Sequence, residues 1–294
     1  MPDITLEQLA QLDNMTDEEV AEFKQRGRQR GLQQVRDRTV ELEAAGGPGM
    51  LVAEGDSWFD YLPGTDIIDC LRNNHDHVIE NYAQAGDTLE NMIYGTGIDN
   101  RFQRVRPTID TVLRRLGQLR PKALLFSGGG NDVAGEGFES YLNHKSSGLA
   151  PVREEFVQNI INEVFRKYYV DLIAKVSAVS PDTHIVVHGY GHTIPTGKGV
   201  NFLFIRFVGP WLKPALAKKG IFDENEQRLA VIHLIDTFND MLADLAKNHP
   251  SNKFHHVDLR KVIDPNNDWV NELHLRNSAF ARVAGLIDAK IQSI

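Results

Sequence analysis

A serine that follows a glycine and an acidic residue could act as a nucleophile in this chain. Ser57 stands in the tripeptide Gly55-Asp56-Ser57, within the segment 54–59 that directly follows the apolar run 50–53. A serine at a turn between a strand and a helix exposes its hydroxyl, and the first backbone N–H groups of the helix are free to bind a developing oxyanion. Because Gly-Asp-Ser is also a common helix cap, the motif predicts catalysis only together with a base and further oxyanion donors.

Two glycine-containing segments could supply such donors. Gly86 lies in the segment 81–88, and a residue without a side chain lets its backbone N–H approach a reacting carbonyl. Asn131 follows three successive glycines, 128–130, which let the chain fold tightly and leave the Asn131 amide able to donate into the same pocket. The glycine run could instead cradle a phosphate, but the Gly-Lys-Ser/Thr sequence of a phosphate loop does not follow it.

A histidine near the end of the chain is the candidate base. A serine hydroxyl is a weak nucleophile near neutral pH, and an imidazole has a pKa suited to removing its proton. His274 precedes the predicted final helix, 278–291, and could reach over the edge of a sheet from there. Any single histidine among the eleven in this chain is more often structural or exposed, so its assignment depends on the other segments.

Taken together, these segments resemble the four ordered blocks of the SGNH, or GDSL-type, hydrolase superfamily. The resemblance covers residues 50–290 and rests on Gly55-Asp56-Ser57, Gly86, Gly130-Asn131-Asp132 and His274. It implies a carboxylic-ester hydrolase of the esterase or lipase type, in which Ser57 attacks the acyl carbon and His274 is the general base. It also implies an oxyanion hole formed by the backbone N–H groups of Ser57 and Gly86 and by the side chain of Asn131.

One position departs from the family pattern. The last block usually has Asp three residues before the histidine, where this chain has Asn271. An amide oxygen can still accept a hydrogen bond from the imidazole and orient it, but it stabilises the imidazolium less than a carboxylate does. We expect Asn271 to orient His274, and Asp268, six residues before the histidine, is the alternative acid.

The pattern of the chain predicts the elements that must position these residues. Short apolar runs alternate with stretches of helical length, which indicates an α/β fold with a parallel sheet and its ligand site at the carboxyl ends of the strands. The family resemblance implies a three-layer α/β/α, flavodoxin-like sheet. The predicted strands are 50–53, 77–82, 123–127, 184–189 and 253–257, and the predicted helical stretches lie around 64–75, 88–118, 152–179, 226–248 and 278–291.

Two regions flank or interrupt this alternation. Residues 1–46 are polar and helix-favouring, with Thr16 and Glu19 spaced as a capping box, and they predict an appended helical arm before a domain at 47–294. Residues 190–225 are irregular and contain the apolar run 202–211. That run could be a lid or the wall of an acyl pocket, or a buried short helix that completes the core.

The composition excludes several classes of function. The formal net charge of −8 argues against a nucleic-acid partner, which would require a concentrated cationic surface. The longest basic stretch, 24–38, is expected to be a solvated helix face. The single cysteine, Cys70, excludes an internal disulfide and a multi-cysteine metal site. We expect no cofactor and no metal, because the spacing of His184, His188 and His192 lacks the geometry of helical metal ligands.

Location, partners and alternative functions remain at the level of expectation. No leader-like start and no apolar run of membrane-spanning length is present, so we expect no membrane span and a cytoplasmic location. The expected partner is a small-molecule ester, and the N-terminal arm could hold a homo-oligomer together. An acyltransferase or thioesterase would use the same site. The non-enzymatic alternative is a binding protein with the same fold and no catalytic activity.

Overall fold

Five strands form one parallel sheet at the centre of the molecule. The computed structural model describes residues 6–16, 18–29, 50–62, 64–200 and 209–294. The strands are β1 (Met50–Gly55), β2 (Val78–Asn81), β3 (Ala123–Ser127), β4 (His184–His188) and β5 (Phe254–Val257). Their order across the sheet is β2-β1-β3-β4-β5, and every neighbouring pair is parallel. This is the flavodoxin-like order, so the predicted sheet is confirmed.

The strands at the middle of the sheet are buried on both faces. Every residue of β1 and of β3 is buried, so these strands are mainly apolar and do not alternate between apolar and polar residues; Glu54 and Ser127 are the buried polar residues near their carboxyl ends. The chain continues from β1 to β2 on one side and later reaches β3 on the other, so the strand order reverses beside β1. In open α/β sheets a ligand crevice forms at such a reversal, beyond the carboxyl ends of the strands.

Helices cover both faces of the sheet and complete three layers. One face is covered by α3 (Ile67–Asn74) and the C-terminal α11 (Asn277–Ser293). The other is covered by α4 (Leu89–Tyr94), α5 (Thr108–Leu119), α8 (Arg166–Val179) and α10 (Glu224–Asn248). The remaining short elements are α6 (Gly130–Ala134), 3₁₀ turns at Glu136–Tyr141 and Lys145–Ser147, α7 (Glu154–Asn159), a π-helical segment at Ile160–Phe165, and α9 (Leu212–Lys218).

The stretch 88–118 does not form the single helix that its composition predicts. It forms α4 and α5 with a loop at 95–107 between them. Gly95 adopts φ +73°, which favours glycine, and a Cβ there would lie 2.4 Å from the Cβ of Pro107. Pro107 in turn precedes the first residue of α5 and cannot donate a backbone N–H to a continuing helix. The prediction of one helix was wrong because Gly95 and Pro107 both interrupt a helical backbone.

The described part of the N-terminal region packs on the sheet domain. Helix α1 (Leu6–Asp13) reaches α11, where a carboxylate oxygen of Asp13 accepts the backbone N–H of Ser278 at 2.9 Å. A second helix, α2, spans residues 18–29, and the predicted capping box is confirmed, since the backbone N–H of Thr16 donates to Glu19 at 2.7 Å. The predicted division of the chain at residue 46, and an oligomer formed through this region, stay predictions.

The basic stretch 24–38 is not uniformly solvated. Lys24 is buried on α2, and its ammonium lies 3.0 Å from a carboxylate oxygen of Asp66 and 2.8 Å from one of Asp69. Burial favours the neutral amine, but the two carboxylates outweigh it and raise the pKa of Lys24. The prediction of a solvated face was therefore wrong for Lys24, which fastens α2 to the start of α3. Residues 30–49 lie outside the described residues.

The irregular region 190–225 is described only in part. Residues 201–208, which hold most of the predicted apolar run 202–211, also lie outside the described residues. Immediately after them, α9 occupies part of the region predicted to be irregular. None of the helices in the described ranges is long and apolar enough to cross a membrane.

Candidate active site

The hydroxyl of Ser57 and the imidazole of His274 are in hydrogen-bond contact. Ser57 Oγ lies 2.8 Å from His274 Nε2, although 217 positions separate the two residues in the sequence. Ser57 follows β1 at the carboxyl edge of the sheet, and the segment containing His274 leads into α11 at the same edge. Gly55 permits this turn because a Cβ at that position would lie only 2.7 Å from Ser127 on β3. The predicted nucleophile and base are thus brought together.

The side-chain oxygen of Asn271 fixes the orientation of His274. Asn271 Oδ1 accepts the backbone N–H groups of Leu273 and His274 at 3.0 and 2.9 Å, which identifies it as the oxygen of the amide. The same atom lies 3.0 Å from His274 Nδ1. Because an amide oxygen can only accept, Nδ1 carries the imidazole proton, and Nε2 presents its lone pair to the Ser57 hydroxyl. Ser57 therefore donates to His274.

Asp268 lies away from this contact. One of its carboxylate oxygens accepts the backbone N–H of Asp264 at 2.7 Å and pairs with the guanidinium of Arg282 on α11. The carboxylate has no hydrogen bond to His274. The structure thus places Asn271, and not Asp268, against the imidazole.

Burial keeps His274 in its neutral form. The side chain is 5% exposed, and burial lowers the pKa of His274 to about 3. An imidazolium in this position would have no carboxylate in contact with it, since its Nδ1 faces the uncharged amide of Asn271. The imidazole is consequently available as a proton acceptor at neutral pH and well below it.

Aromatic side chains hold the segment of His274 in place. The indole Nε1 of Trp58, next to the nucleophile, donates to the carbonyl of Leu273 at 3.0 Å. The ring of Tyr61 stacks on the imidazole, and the ring of Trp211 contacts it at a steep angle. The turn at Ser57 and the segment of His274 are thus joined by the hydrogen bond between Trp58 and Leu273 as well as by the contact of Ser57 with His274.

The predicted oxyanion donors also lie at this edge of the sheet. Asn131, at the start of α6, donates one amide hydrogen to the carbonyl of Asp87 at 2.8 Å, which leaves its second amide hydrogen unused. Asn131 and Ser57 line the same cleft. Gly86, directly before Asp87, adopts φ +86° and is exposed. The backbone N–H groups of Ser57 and Gly86 donate to no acceptor among the described residues.

A buried polar network behind the nucleophile was not predicted from the sequence. The Asp56 carboxyl accepts the backbone N–H of Trp58 at 2.9 Å and the Tyr190 hydroxyl at 2.9 Å, and it contacts Ser127 Oγ at 2.7 Å. Ser127 Oγ lies 2.9 Å from His188 Nε2. These residues stand at the carboxyl ends of β1, β3 and β4, which is the only sequence signal that could have grouped them.

Burial shifts the pKa values of both ends of this network. It raises the pKa of Asp56 to about 6 and lowers the pKa of His188 to about 4. His188 Nδ1 lies 2.8 Å from the carbonyl of Gly189 and must therefore carry a proton. The Ser127 hydroxyl donates to the Asp56 carboxyl, and the hydrogen bonds from Trp58, Ser127 and Tyr190 offset part of the effect of burial on the pKa of Asp56.

A buried carboxylate organises the region beside the base. Glu272 is fully buried, and its two oxygens accept four backbone N–H groups at 2.7 to 3.1 Å, from Gly197, Trp211, Leu212 and Lys213. The last three lie at the start of α9, so the carboxylate caps that helix. Sequence reasoning missed Glu272, because the backbone groups that it binds are about 60 residues away or more.

The histidines considered as metal ligands do not converge. His184 contacts His255, His188 contacts Ser127, and His192 contacts Asp236, each through a hydrogen bond in a different place. Within the described ranges, no group of three or more His, Cys, Asp or Glu side chains is arranged to hold a metal ion. Cys70 is buried, and it is not part of the site.

An apolar cleft adjoins Ser57. Its enclosed volume is about 40 Å³, and about 480 Å³ if the space open to solvent at its mouth is included. Its polar edge includes Ser57, Asn131 and Glu272. Its apolar wall is formed by Trp58, Val133, Ala134, Ile235, Phe238 and Trp269. The arrangement offers a nucleophile at the mouth of a pocket that suits an apolar group.

Comparison with known proteins finds similarity only to solved structures. No protein-family model and no curated protein matches the chain. The extracellular lipase from Streptomyces rimosus is 14% identical, with 81% of this chain and 98% of that one covered and a TM-score of 0.49. Phospholipase A1 from Streptomyces albidoflavus NA297 is 13% identical, with 83% of this chain and 99% of that one covered and a TM-score of 0.45. The lipopolysaccharide acetyltransferase periplasmic domain of Salmonella ser. Paratyphi A is 12% identical, with 84% of each chain covered and a TM-score of 0.47. At these values we draw no functional conclusion from the likeness.

Proposed function

We propose that this protein is a serine hydrolase that cleaves carboxylic esters through an acyl-serine intermediate. The observation that carries the proposal is the chain of contacts from Ser57 Oγ to His274 Nε2, at 2.8 Å, and from His274 Nδ1 to Asn271 Oδ1, at 3.0 Å. A nucleophile, a neutral base and a group that orients the base are the three parts that serine catalysis requires.

The first half-reaction follows from these positions. Ser57 Oγ bonds to the acyl carbon while its proton passes to His274 Nε2, and Asn271 accepts from Nδ1 throughout. The oxyanion is bound by the second amide hydrogen of Asn131 and by the backbone N–H groups of Ser57 and Gly86, which donate to no acceptor among the described residues. The bond from carbon to the alcohol oxygen then breaks, and the proton on His274 passes to the departing alkoxide.

Water completes the reaction by the same route. His274 takes a proton from water, whose oxygen attacks the acyl carbon, and returns it to Ser57 Oγ as the acyl-enzyme bond breaks. An alcohol or amine in place of water would make the protein an acyltransferase. A thioester substrate would use the same steps with a thiolate as the leaving group.

The cleft supports an apolar acyl group as the part of the substrate next to Ser57. Its wall is formed by aliphatic and aromatic side chains, and an acyl chain or aromatic acid buries apolar surface there, whereas a sugar would leave its hydroxyls without partners. A series of esters with acyl chains of increasing length tests this assignment. We expect kcat/KM to rise with chain length and then to fall once the chain exceeds the depth of the cleft.

A fluorophosphonate probe and an activated ester together test the proposed mechanism. We expect the probe to label the peptide that contains Ser57, and an aryl ester to give a burst of phenol followed by slower turnover. Ser57→Ala should lose the label and the burst, while Ser140→Ala, which removes an exposed serine hydroxyl, should keep both. A wild-type protein that neither reacts with the probe nor releases phenol would be a binding protein, and the proposal would be wrong.

A further inference from the structure

The loop at 95–107, between α4 and α5, exposes an unusual amount of apolar surface. Phe102 is 84% exposed, Ile98 58% and Val105 52%. These three exposed apolar side chains lie within eight consecutive residues, 98–105. Single exposed apolar residues are normal on a protein surface, but a group of them indicates a surface that meets another apolar phase.

The same loop is basic in an acidic protein. It contains Arg101, Arg104 and Arg106 and one acidic residue, Asp99, whereas the whole chain has a net charge of −8. The Asp99 carboxylate accepts the backbone N–H groups of Arg101 and Gln103, so it is used within the loop. The guanidinium of Arg101 has no partner among the described residues. In the described part of the chain, Arg106 has a single ion pair, a 3.5 Å contact with the half-exposed Asp110.

The backbone of the loop is already ordered. Asp99 and Gln103 are joined by a hydrogen bond of 2.9 Å, as are Val105 and Gly97. Phe102 stands at the tip with φ +58°, a conformation that bulky residues rarely adopt. The hydrogen bonds around it hold the ring outward, so binding through this ring requires little further ordering of the chain.

The loop lies toward the edge of the sheet that carries Ser57. Helix α4 begins next to Asp87, whose carbonyl contacts Asn131 in the candidate active site, and it has only six residues, or about 9 Å of length. Helix α5 then runs from the loop back to the start of β3. A phase bound by the loop would therefore lie toward the edge of the sheet that carries Ser57.

We propose that the loop 95–107 docks this protein on an anionic lipid surface. Phe102 and Ile98 enter the boundary between headgroups and acyl chains, and Arg101 and Arg106 face the lipid phosphates. An apolar tip surrounded by arginines matches both layers of such a surface. The net charge of −8 opposes the approach of the protein as a whole, so an orientation with this basic loop facing the lipid is favoured. The proposal does not depend on ester hydrolysis.

Sedimentation of the full-length protein with vesicles tests this proposal. We expect binding to vesicles of phosphatidylcholine mixed with phosphatidylserine, weaker binding to phosphatidylcholine alone, and a loss of binding at high salt. Phe102→Asn keeps a residue that tolerates positive φ and should lower the partition coefficient about 10-fold. Arg101→Gln should lower it about 5-fold.

Two control variants test whether vesicle binding is specific to this loop. Phe222→Asn removes an aromatic ring that is 73% exposed and followed by acidic residues, and it should bind vesicles like the wild type. Ser57→Ala should also bind like the wild type, whether or not the protein is a hydrolase. Equal binding to neutral and anionic vesicles, equal losses in Phe102→Asn and Phe222→Asn, or no binding at all would overturn the proposal.

Discussion

The imidazole of His274 lies flat against the phenol ring of Tyr61, with ring centroids 4.1 Å apart and 13° between the ring planes. The Tyr61 hydroxyl also accepts from the amide nitrogen of Asn271 at 3.4 Å. Tyr61 thus touches both the proposed base and the residue that orients it. The stacked ring of Tyr61 restricts rotation of the imidazole and so keeps Nε2 directed at Ser57.

Two substitutions of Tyr61 should separate the ring from the hydroxyl. Tyr61→Phe keeps the stacked ring and loses only a long hydrogen bond, so kcat should fall by about 3-fold or less. Tyr61→Ala loses the ring contact, and kcat should fall by about 10-fold, with a smaller change in KM. Steady-state kinetics on an aryl ester measure both variants, and equal losses in the two would show that the hydroxyl, not the stacking, matters.

Asn271→Asp should change the pH profile as well as the rate. A carboxylate at this position favours the imidazolium and raises the pKa of His274 from its low value of about 3. Since the base must be neutral to accept a proton, the loss of activity at acidic pH should move to higher pH. At neutral pH, kcat should rise by about 3- to 10-fold, because the transition state contains an imidazolium.

Asp268→Asn is the matched control for that experiment. Its carboxylate pairs with Arg282 and has no hydrogen bond to His274, so the pH profile should keep its shape. If the Asp268 variant instead lost most of its activity and Asn271→Asp changed nothing, Asp268 would be the orienting acid.

Asn131→Ala should lower turnover more than substrate binding. An oxyanion donor acts mainly in the transition state, so kcat should fall by about 100-fold or more while KM changes little. Asn91→Ala is the comparison, because the Asn91 amide also contacts Asp87, at 2.7 Å, but does not line the cleft. Similar losses of kcat in the two variants would indicate that Asn131 only holds the Asp87 loop.

Glu54 should make the protein less stable as the pH rises. Its side chain is fully buried on β1, and neither carboxyl oxygen has a hydrogen-bond partner among the described residues. Burial, and then the charge of Asp87, raises the pKa of Glu54 from 4.5 to about 9. Between these values the folded state keeps a proton that the unfolded state releases. The contribution of Glu54 to the free energy of unfolding is therefore fully present below pH 4.5 and is lost as the pH rises toward 9.

Glu54→Gln removes this titration and tests whether stability falls as the pH rises. At about pH 8 its Tm should exceed that of the wild type by roughly 5 °C, and at about pH 5 the difference should be much smaller. Glu22→Gln, at an exposed position on α2, should show no such dependence. A constant difference between Glu54→Gln and the wild type at all pH values would mean that Glu54 is ionised in the folded protein.

Local patterns in the sequence were sufficient to predict the sheet and the residues that meet at its edge. The five apolar runs became the five strands, since a buried parallel strand needs little more than a short apolar run. The polar blocks with Ser57 and Asn131 follow β1 and β3, and parallel strands bring their carboxyl ends to one edge. The pairing of Ser57 with His274 was expected from the resemblance of the four ordered blocks to the hydrolase superfamily, because His274 does not follow a strand.

The tertiary structure decided what depends on direction and burial. It places Asn271 against the imidazole and Asp268 against Arg282, although both precede His274 closely in the sequence. It also buries Lys24 between two carboxylates and joins Asp56 to His188 through Ser127. No local pattern encodes such pairs, because a hydrogen bond or ion pair depends on where side chains from distant segments point and on how much water is excluded around them.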